Sequence, residues 1–300
     1  MSYCTVMVVR FHIIRGNASW CSQKPWGTQK FLFQQVVTDL LPPSSPLSKA
    51  SAVYHSACLV DAFFALRPDW TRLRAIEAAV LQQLAHIQPT MPVMVNSLRC
   101  HGFPHQQAHH AFPVLWKEYG RFYRMCAEHA ATPPIRRSIY MPYLDTWYRK
   151  HTIVHVRDRI VVFAGSLLTE VRHAVARAVN NTPGGEVIVF TNRQHRTVDL
   201  SVYECVACPP GDTPESQRII QAIVHGSIPL ISSRMYRYPF FDWASISFPL
   251  GFDKHGRIEL PSPHKRAQMR IALKAANDSF FNVSRWREYI AGRWKAMIRP

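Results

Sequence analysis

Arg159-Ile160-Val161-Val162-Phe163-Ala164 is a continuous apolar run behind a single cation, and Gly165-Ser166 turns the chain after it. An apolar run without polar alternation is what a strand buried on both faces requires. Leu168 to Val179 then carries a helical period, Asn181 to Gly185 makes a turn, and Glu186 to Phe190 (EVIVF) is a second strand. Val202 to Ala207 is a short strand, Gly211 to Pro214 a loop, Glu215 to Val224 a helix, and Ser227 to Ile231 (SIPLI) another buried strand. Strand-helix-strand repetition predicts a parallel sheet covered by helices, an α/β domain of Rossmann-like type.

Toward the N-terminus the pattern loosens. Thr146 to Asp158 is polar, basic and without helical period, so the domain boundary is placed near residue 150, giving domains 1–150 and 151–300. A chain of 300 residues is long enough for two domains of roughly 100–200 residues each. In the first half, Cys4 to Ile14 reads as a strand, and Ala50 to Leu66 as a helix start joined to an apolar stretch. Trp70 to Ile87 is a helix with a core stripe at Leu73, Ile76, Ala79, Val80, Leu84 and Ile87. Pro89 to Val95 is a strand, Val114 to Ala131 an amphipathic helix, and Ile135 to Tyr143 a strand running into a linker. At the other end, Lys265 to Ala276 (KRAQMRIALKAA) is a basic helix able to dock on the core.

The 47% hydrophobic fraction supplies a core and excludes a disordered chain. Thirty-six Lys and Arg against nineteen Asp and Glu give +17, which favours anionic partners such as nucleotide phosphates, acidic glycans or nucleic acid. The cations are dispersed, and a dispersed excess reads as a solvated surface. No segment reaches the ~18–20 apolar residues of a membrane span, and the start lacks the form of a secretory signal. Taken as a whole protein, the chain is expected to be soluble. The seven cysteines are irregularly spaced, and Cys205-Val206-Ala207-Cys208, without a second such pair, reads as strand residues rather than a zinc or redox site. Asn17, Asn180, Asn277 and Asn282 each begin an N-x-S/T triplet, a pattern common by chance.

The chemistry concentrates between Tyr203 and Pro239. A strand ends at Cys208, Pro209 to Pro214 forms a rigid loop, and a helix opens at Glu215. Thr213 is the expected N-cap and Pro214 the first helical residue. A helix N-terminus beyond the carboxyl end of a parallel strand offers free amides to a phosphate. Ser216 adds a hydroxyl and Arg218 a two-pronged cation.

These residues resemble the exostosin family of glycosyltransferases, whose members carry a segment similar to F-C-L-x-P-x-G-D-T-P-x-S-x-R followed by a helix and G-C-I-P-V. Here it stands as Tyr203 to Arg218 (YECVACPPGDTPESQR), then Ile219 to His225, then Gly226-Ser227-Ile228-Pro229-Leu230. Pro239-Phe240 and Asp242-Trp243-Ala244-Ser245 match downstream elements. Arg159 to Gly165 with Arg172, and Ile139 to Tyr143, match upstream ones. The ordered matches cover roughly residues 135–250 and fade toward the N-terminus. Gln217 stands where a second arginine is common, Gln221 where an aspartate is common, and Ser227 replaces a cysteine.

The resemblance implies a GT-B architecture, two Rossmann-like domains facing across a cleft, with the nucleotide sugar in the C-terminal one. It implies inversion by direct displacement of the diphosphate, a uridine diphosphate sugar as donor, and a glycan or glycoprotein as acceptor. Donor-binding residues by this carry-over are Gly165, Arg159, Arg172, Gly211, Asp212, Thr213, Ser216 and Arg218. Their cations and amides stabilise the departing diphosphate, so no metal is required, and no Asp-x-Asp motif is present. A general base must deprotonate the acceptor. His109 and His110 are candidates through the faint match of His109-His110-Ala111-Phe112 to a family element, and Asp61 by position. The family works in the Golgi lumen behind a membrane anchor, which points there for a fragment or anchored homologue and to the cytoplasm otherwise.

Two other readings compete. His101, His105 and His109 have a spacing that on a helix would align zinc ligands, but Gly102 and Pro104 oppose a helix there. A non-catalytic basic protein binding nucleic acid or an acidic glycan would explain +17. It would also use the aromatic residues interleaved with cations at Trp147-Tyr148-Arg149-Lys150 and Arg285-Trp286-Arg287.

Overall fold

A computed structural model describes residues 10–15, 40–41, 44–56, 62, 66, 69–88, 90–96, 112–117, 123–126, 138–140, 157–190, 198–210, 216–232, 237–238 and 241–298. The chain divides into two compact units, one of residues 1–145 with 283–300, the other of 146–282. Each is built on a five-stranded sheet whose paired strands are all parallel. The protein is therefore α/β with parallel sheets.

In the first unit the strands are β1 (Phe11–Ile14), β2 (Ala52–His55), β3 (Val93–Asn96), β4 (Tyr123–Cys126) and β5 (Ser138–Tyr140), lying in the sheet in chain order. Between β2 and β3 runs helix α1 (Trp70–Leu84), N-capped by Asp69, whose carboxylate accepts from the Arg72 amide at 3.1 Å. Leu73, Ile76 and Val80 of its predicted stripe are buried with Ala62, Val95, Phe112 and Leu115. The stripe also carries Glu77, buried among apolar neighbours. Its Oε1 accepts from the Val114 and Leu115 amides at 2.9 and 2.7 Å and so caps the short helix α2 (Pro113–Lys117).

Two readings are corrected in this unit. The apolar stretch from Ala52 is strand β2, all four residues buried, rather than a helix start, because neighbouring strands pair it on both sides. The predicted helix Val114 to Ala131 is α2 followed by β4, so period alone did not separate a short helix from the strand after it.

The second unit contains β6 (Arg159–Gly165), helix α3 (Glu170–Asn181), β7 (Gly185–Val189), β8 (Tyr203–Cys208), helix α4 (Gln217–Val224), β9 (Ile228–Ile231), the single turn α5 (Trp243–Ile246), β10 (Phe248–Pro249) and helix α6 (Pro263–Phe280). The sheet order is β10-β9-β8-β6-β7. From β6 the chain steps to β7 on one side, then returns across β6 to build β8, β9 and β10 on the other. Val161 to Ala164 are buried without interruption, as helices on both faces require. The α3–β7 turn needs glycine twice. Gly184 has φ +72°, and a Cβ on Gly185 would meet the Val179 carbonyl oxygen at 2.0 Å.

Helix α6 is longer than predicted, begins with Ser262 as N-cap and Pro263 in its first turn, and buries Met269, Leu273, Ala276 and Phe280. Glu204 ties it to β8 through Arg266 and Arg270. Asn277 donates to the Val224 carbonyl at 2.7 Å from a buried side chain, which removes the acceptor asparagine of its N-x-S triplet from solvent. Helix α7 (Val283–Ile298) follows and belongs to the first unit, where it packs against β5. Trp294 meets Phe11 of β1 at 5.5 Å between ring centroids, and Trp286 is fully buried. Trp286 is thus a core residue and offers no open face for a stacked base. Among the described residues, no helix is long and apolar enough to cross a membrane.

Candidate functional site

In doubly wound sheets, ligands settle beyond the carboxyl ends of the strands where the strand order reverses. Here the reversal lies between β6 and β8. The strands of the first unit, in chain order, show no such reversal among the described residues. The carboxyl edge of β6 and β8 is therefore where the fold itself points.

Two arginines converge on that edge. Arg172, in the first turn of α3, donates from Nη1 to Ser166 Oγ at 2.9 Å and to the Ser166 carbonyl at 3.2 Å. Its Nε donates to the Pro210 carbonyl at 3.3 Å, so one guanidinium joins the loop after β6 to the loop after β8. Arg218, in the first turn of α4, donates from Nε to the Ala164 carbonyl at 3.0 Å. Its Nη1 donates to Gln221 Oε1, and its guanidinium lies over the Phe190 ring, 5.0 Å from the centroid. Phe190 follows β7 and is held beside the same edge by its amide, which donates to the Gly165 carbonyl at 3.0 Å.

Local sequence explains these placements. Thr169 caps α3, its hydroxyl accepting from the Arg172 amide at 3.4 Å. Ser216 caps α4, its hydroxyl accepting from the Arg218 amide at 3.4 Å. The caps start the helices that follow β6 and β8, and each arginine sits two or three residues on, Arg218 reaching back to the Ala164 carbonyl of β6 and Arg172 to the Ser166 and Pro210 carbonyls past the strand ends. The N-cap of α4 is accordingly Ser216 and not Thr213, and the helix opens at Gln217 instead of Glu215.

Gly165, Arg172, Ser216 and Arg218 are brought to one edge. Arg159 is not. It begins β6, six residues and about 20 Å along the strand from Gly165. There it pairs with Glu186 and bonds the Tyr203 hydroxyl at 3.1 Å. A strand carries its two ends to opposite edges of the sheet, so Arg159 stands apart from Gly165, Arg172, Ser216 and Arg218. Gly211, Asp212, Thr213, His109, His110 and Asp61 lie outside the described residues, as do His101, His105 and Trp147 to Lys150. Ser166, Phe190, Pro210 and Gln221 join the site by geometry alone. In the sequence Ser166 is legible as a turn, Pro210 as part of the rigid loop and Gln221 as a departure from the family pattern, while Phe190 reads as the last residue of a strand.

Cys205 and Cys208 are free, buried thiols three apart on β8, so their side chains leave opposite faces of the strand. Burial pushes the Cys205 thiol up to about 12 and raises Cys208 as well, which keeps both protonated.

Fold and edge together define an α/β protein whose switch-point edge carries two arginines, each in the first turn of a helix. No known family profile matches the chain, and no curated protein matches it. Among solved structures, the chain is similar to a mutant of S. aureus TarM in complex with fondaparinux, α-GlcNAc-glycerol and UDP. The identity is 8%, the TM-score 0.38, and the match covers 90% of this chain and 58% of that one. The chain thus spans less than two thirds of that protein's length.

Proposed function

We propose that the chain is an inverting, exostosin-like glycosyltransferase whose nucleotide-sugar donor, a UDP-sugar, binds at the carboxyl edge of β6 and β8. The observation that carries this reading is the convergence of Arg172 and Arg218 at the switch point, each at the first turn of a helix. Two guanidinium groups and two helix N-termini supply the positive charge that a departing diphosphate needs, without a metal in that role. Gly165 supports the same reading. A Cβ there would stand 3.4 Å from the Phe163 ring, an ordinary contact, so packing among the described residues does not demand glycine. The missing side chain instead lets a ligand approach the backbone.

The acceptor is a glycan or glycoprotein, and the compartment that goes with this reading is the Golgi lumen for a fragment or homologue of the anchored family and the cytoplasm otherwise. The acceptor hydroxyl must lose its proton as it attacks the anomeric carbon, and the diphosphate leaves with the bond's electron pair. His110, His109 and Asp61 remain the groups proposed for that proton.

Calorimetry of UDP binding in metal-free buffer tests the donor site, with wild type and Arg218→Ala side by side. Binding by the wild type that falls at least tenfold in the variant is expected. Equal binding by the two proteins, or none by the wild type, would sink the reading.

A further inference from the structure

We infer that Gln221 is a positioning residue for a nucleoside diphosphate, aligning Arg218 through an uncharged acceptor; this deepens the donor-site reading and rests on it. Gln221 stands three residues after Arg218 on α4, a separation that puts two helical side chains side by side. Nη1 of Arg218 donates to Gln221 Oε1, Nε donates to the Ala164 carbonyl at 3.0 Å, and the guanidinium rests over the Phe190 ring. A long side chain is thereby fixed on three sides before any ligand arrives. Such preorganisation lowers the ordering cost of binding.

The chemical type of the third contact matters as much as its place. A carboxylate at 221 would grip the guanidinium more strongly through a charge-assisted bond. It would also set a negative charge beside the cation that meets a phosphate, weakening the attraction. An amide oxygen holds the same nitrogen and adds no charge. Gln221 therefore tunes the site toward the most anionic part of a nucleotide, the diphosphate, and leaves recognition of the nucleoside to other groups.

The test compares UDP and uridine binding to wild type, Gln221→Met, Gln221→Glu and Arg218→Ala, with UDP titrated from low to high salt. Gln221→Met keeps the length and loses the acceptor, and it is expected to weaken UDP by roughly three- to tenfold with uridine unchanged. Gln221→Glu keeps an acceptor, weakens UDP, and flattens the salt dependence of its binding because a carboxylate now screens Arg218. UDP binding equal to wild type in both variants overturns the inference. So does a proportional loss of uridine, which marks a merely structural residue. If Arg218→Ala loses UDP while both Gln221 variants keep it, only this inference fails. If Arg218→Ala binds UDP like wild type, the donor site fails as well.

Discussion

Arg172 donates from Nε to the Pro210 carbonyl at 3.3 Å, so a side chain from the helix after β6 holds the loop that follows β8. Parallel strands side by side do not by themselves fix the loops beyond their ends. The guanidinium does so with a planar fork of donors, and Ser166 takes two more of its bonds.

Replacing Arg172 with alanine should lower UDP affinity by roughly tenfold, since charge and loop clasp go together. Arg172→Lys keeps the charge but cannot reach three acceptors in the same plane, and should recover less than half of the lost binding energy. UDP titration of both variants checks this. Full affinity in the lysine variant would show that charge alone matters there.

Gly165→Ala should fold and melt like the wild type, because among the described residues the added methyl comes nearest to the Phe163 ring, at ordinary contact distance. UDP binding should nevertheless fall, since the methyl occupies the approach to the β6 edge. Thermal melting and nucleotide titration of the same preparation separate the two effects. A drop in melting temperature without a loss of binding would place the glycine's role in the fold.

His55 should make the protein sensitive to mild acid. It is buried at the end of β2, with Nε2 against Gln83 Oε1 at 2.8 Å, and burial lowers its pKa below the ordinary ~6.5. The unfolded chain then takes up the proton at a higher pH than the folded one. Stability is full above about pH 6.5 and falls as pH drops through the window down to the folded value. Unfolding midpoints measured from pH 8 to pH 5 should decline in the wild type and less steeply in His55→Gln. Parallel profiles would remove His55 as the cause.

Glu77 titrates with the opposite sign. Burial raises its pKa against the two amides that lower it, so the folded state holds its proton to higher pH than the unfolded chain. Its contribution is greatest below about pH 4.3 and declines as pH rises through the folded value. At neutral pH, Glu77→Gln keeps the acceptor without the buried charge and should be as stable as wild type or more so. Glu77→Ala leaves the Val114 and Leu115 amides without that acceptor and should cost about 2 kcal/mol by chemical denaturation. Equal stability of the two variants would show that the cap is dispensable.

Both ionisable groups were legible as residues and illegible as sites. Glu77 is absent from the stripe predicted for α1, and its burial and partners are set only by the arrival of α2. Trp286, between two arginines, reads as a stacking platform until α7 is found packed in the first unit. In each case the partner lies tens to hundreds of residues away, beyond the reach of period or spacing.

The alternation from Arg159 to Ile231 determined a parallel α/β unit by itself, because buried strands and their crossover helices differ in period and length. The motif around Ser216 and Arg218 located the helix that opens at the switch-point edge, although the cap falls on Ser216 and not Thr213. Only the tertiary structure decided where the strand order reverses. Only it showed that Arg172 and Arg218 meet at that reversal while Arg159, on the same strand as Gly165, stands at the far edge. Sheet order and the pairing of side chains across it are set by contacts between distant residues, and local sequence carries propensity, not partners.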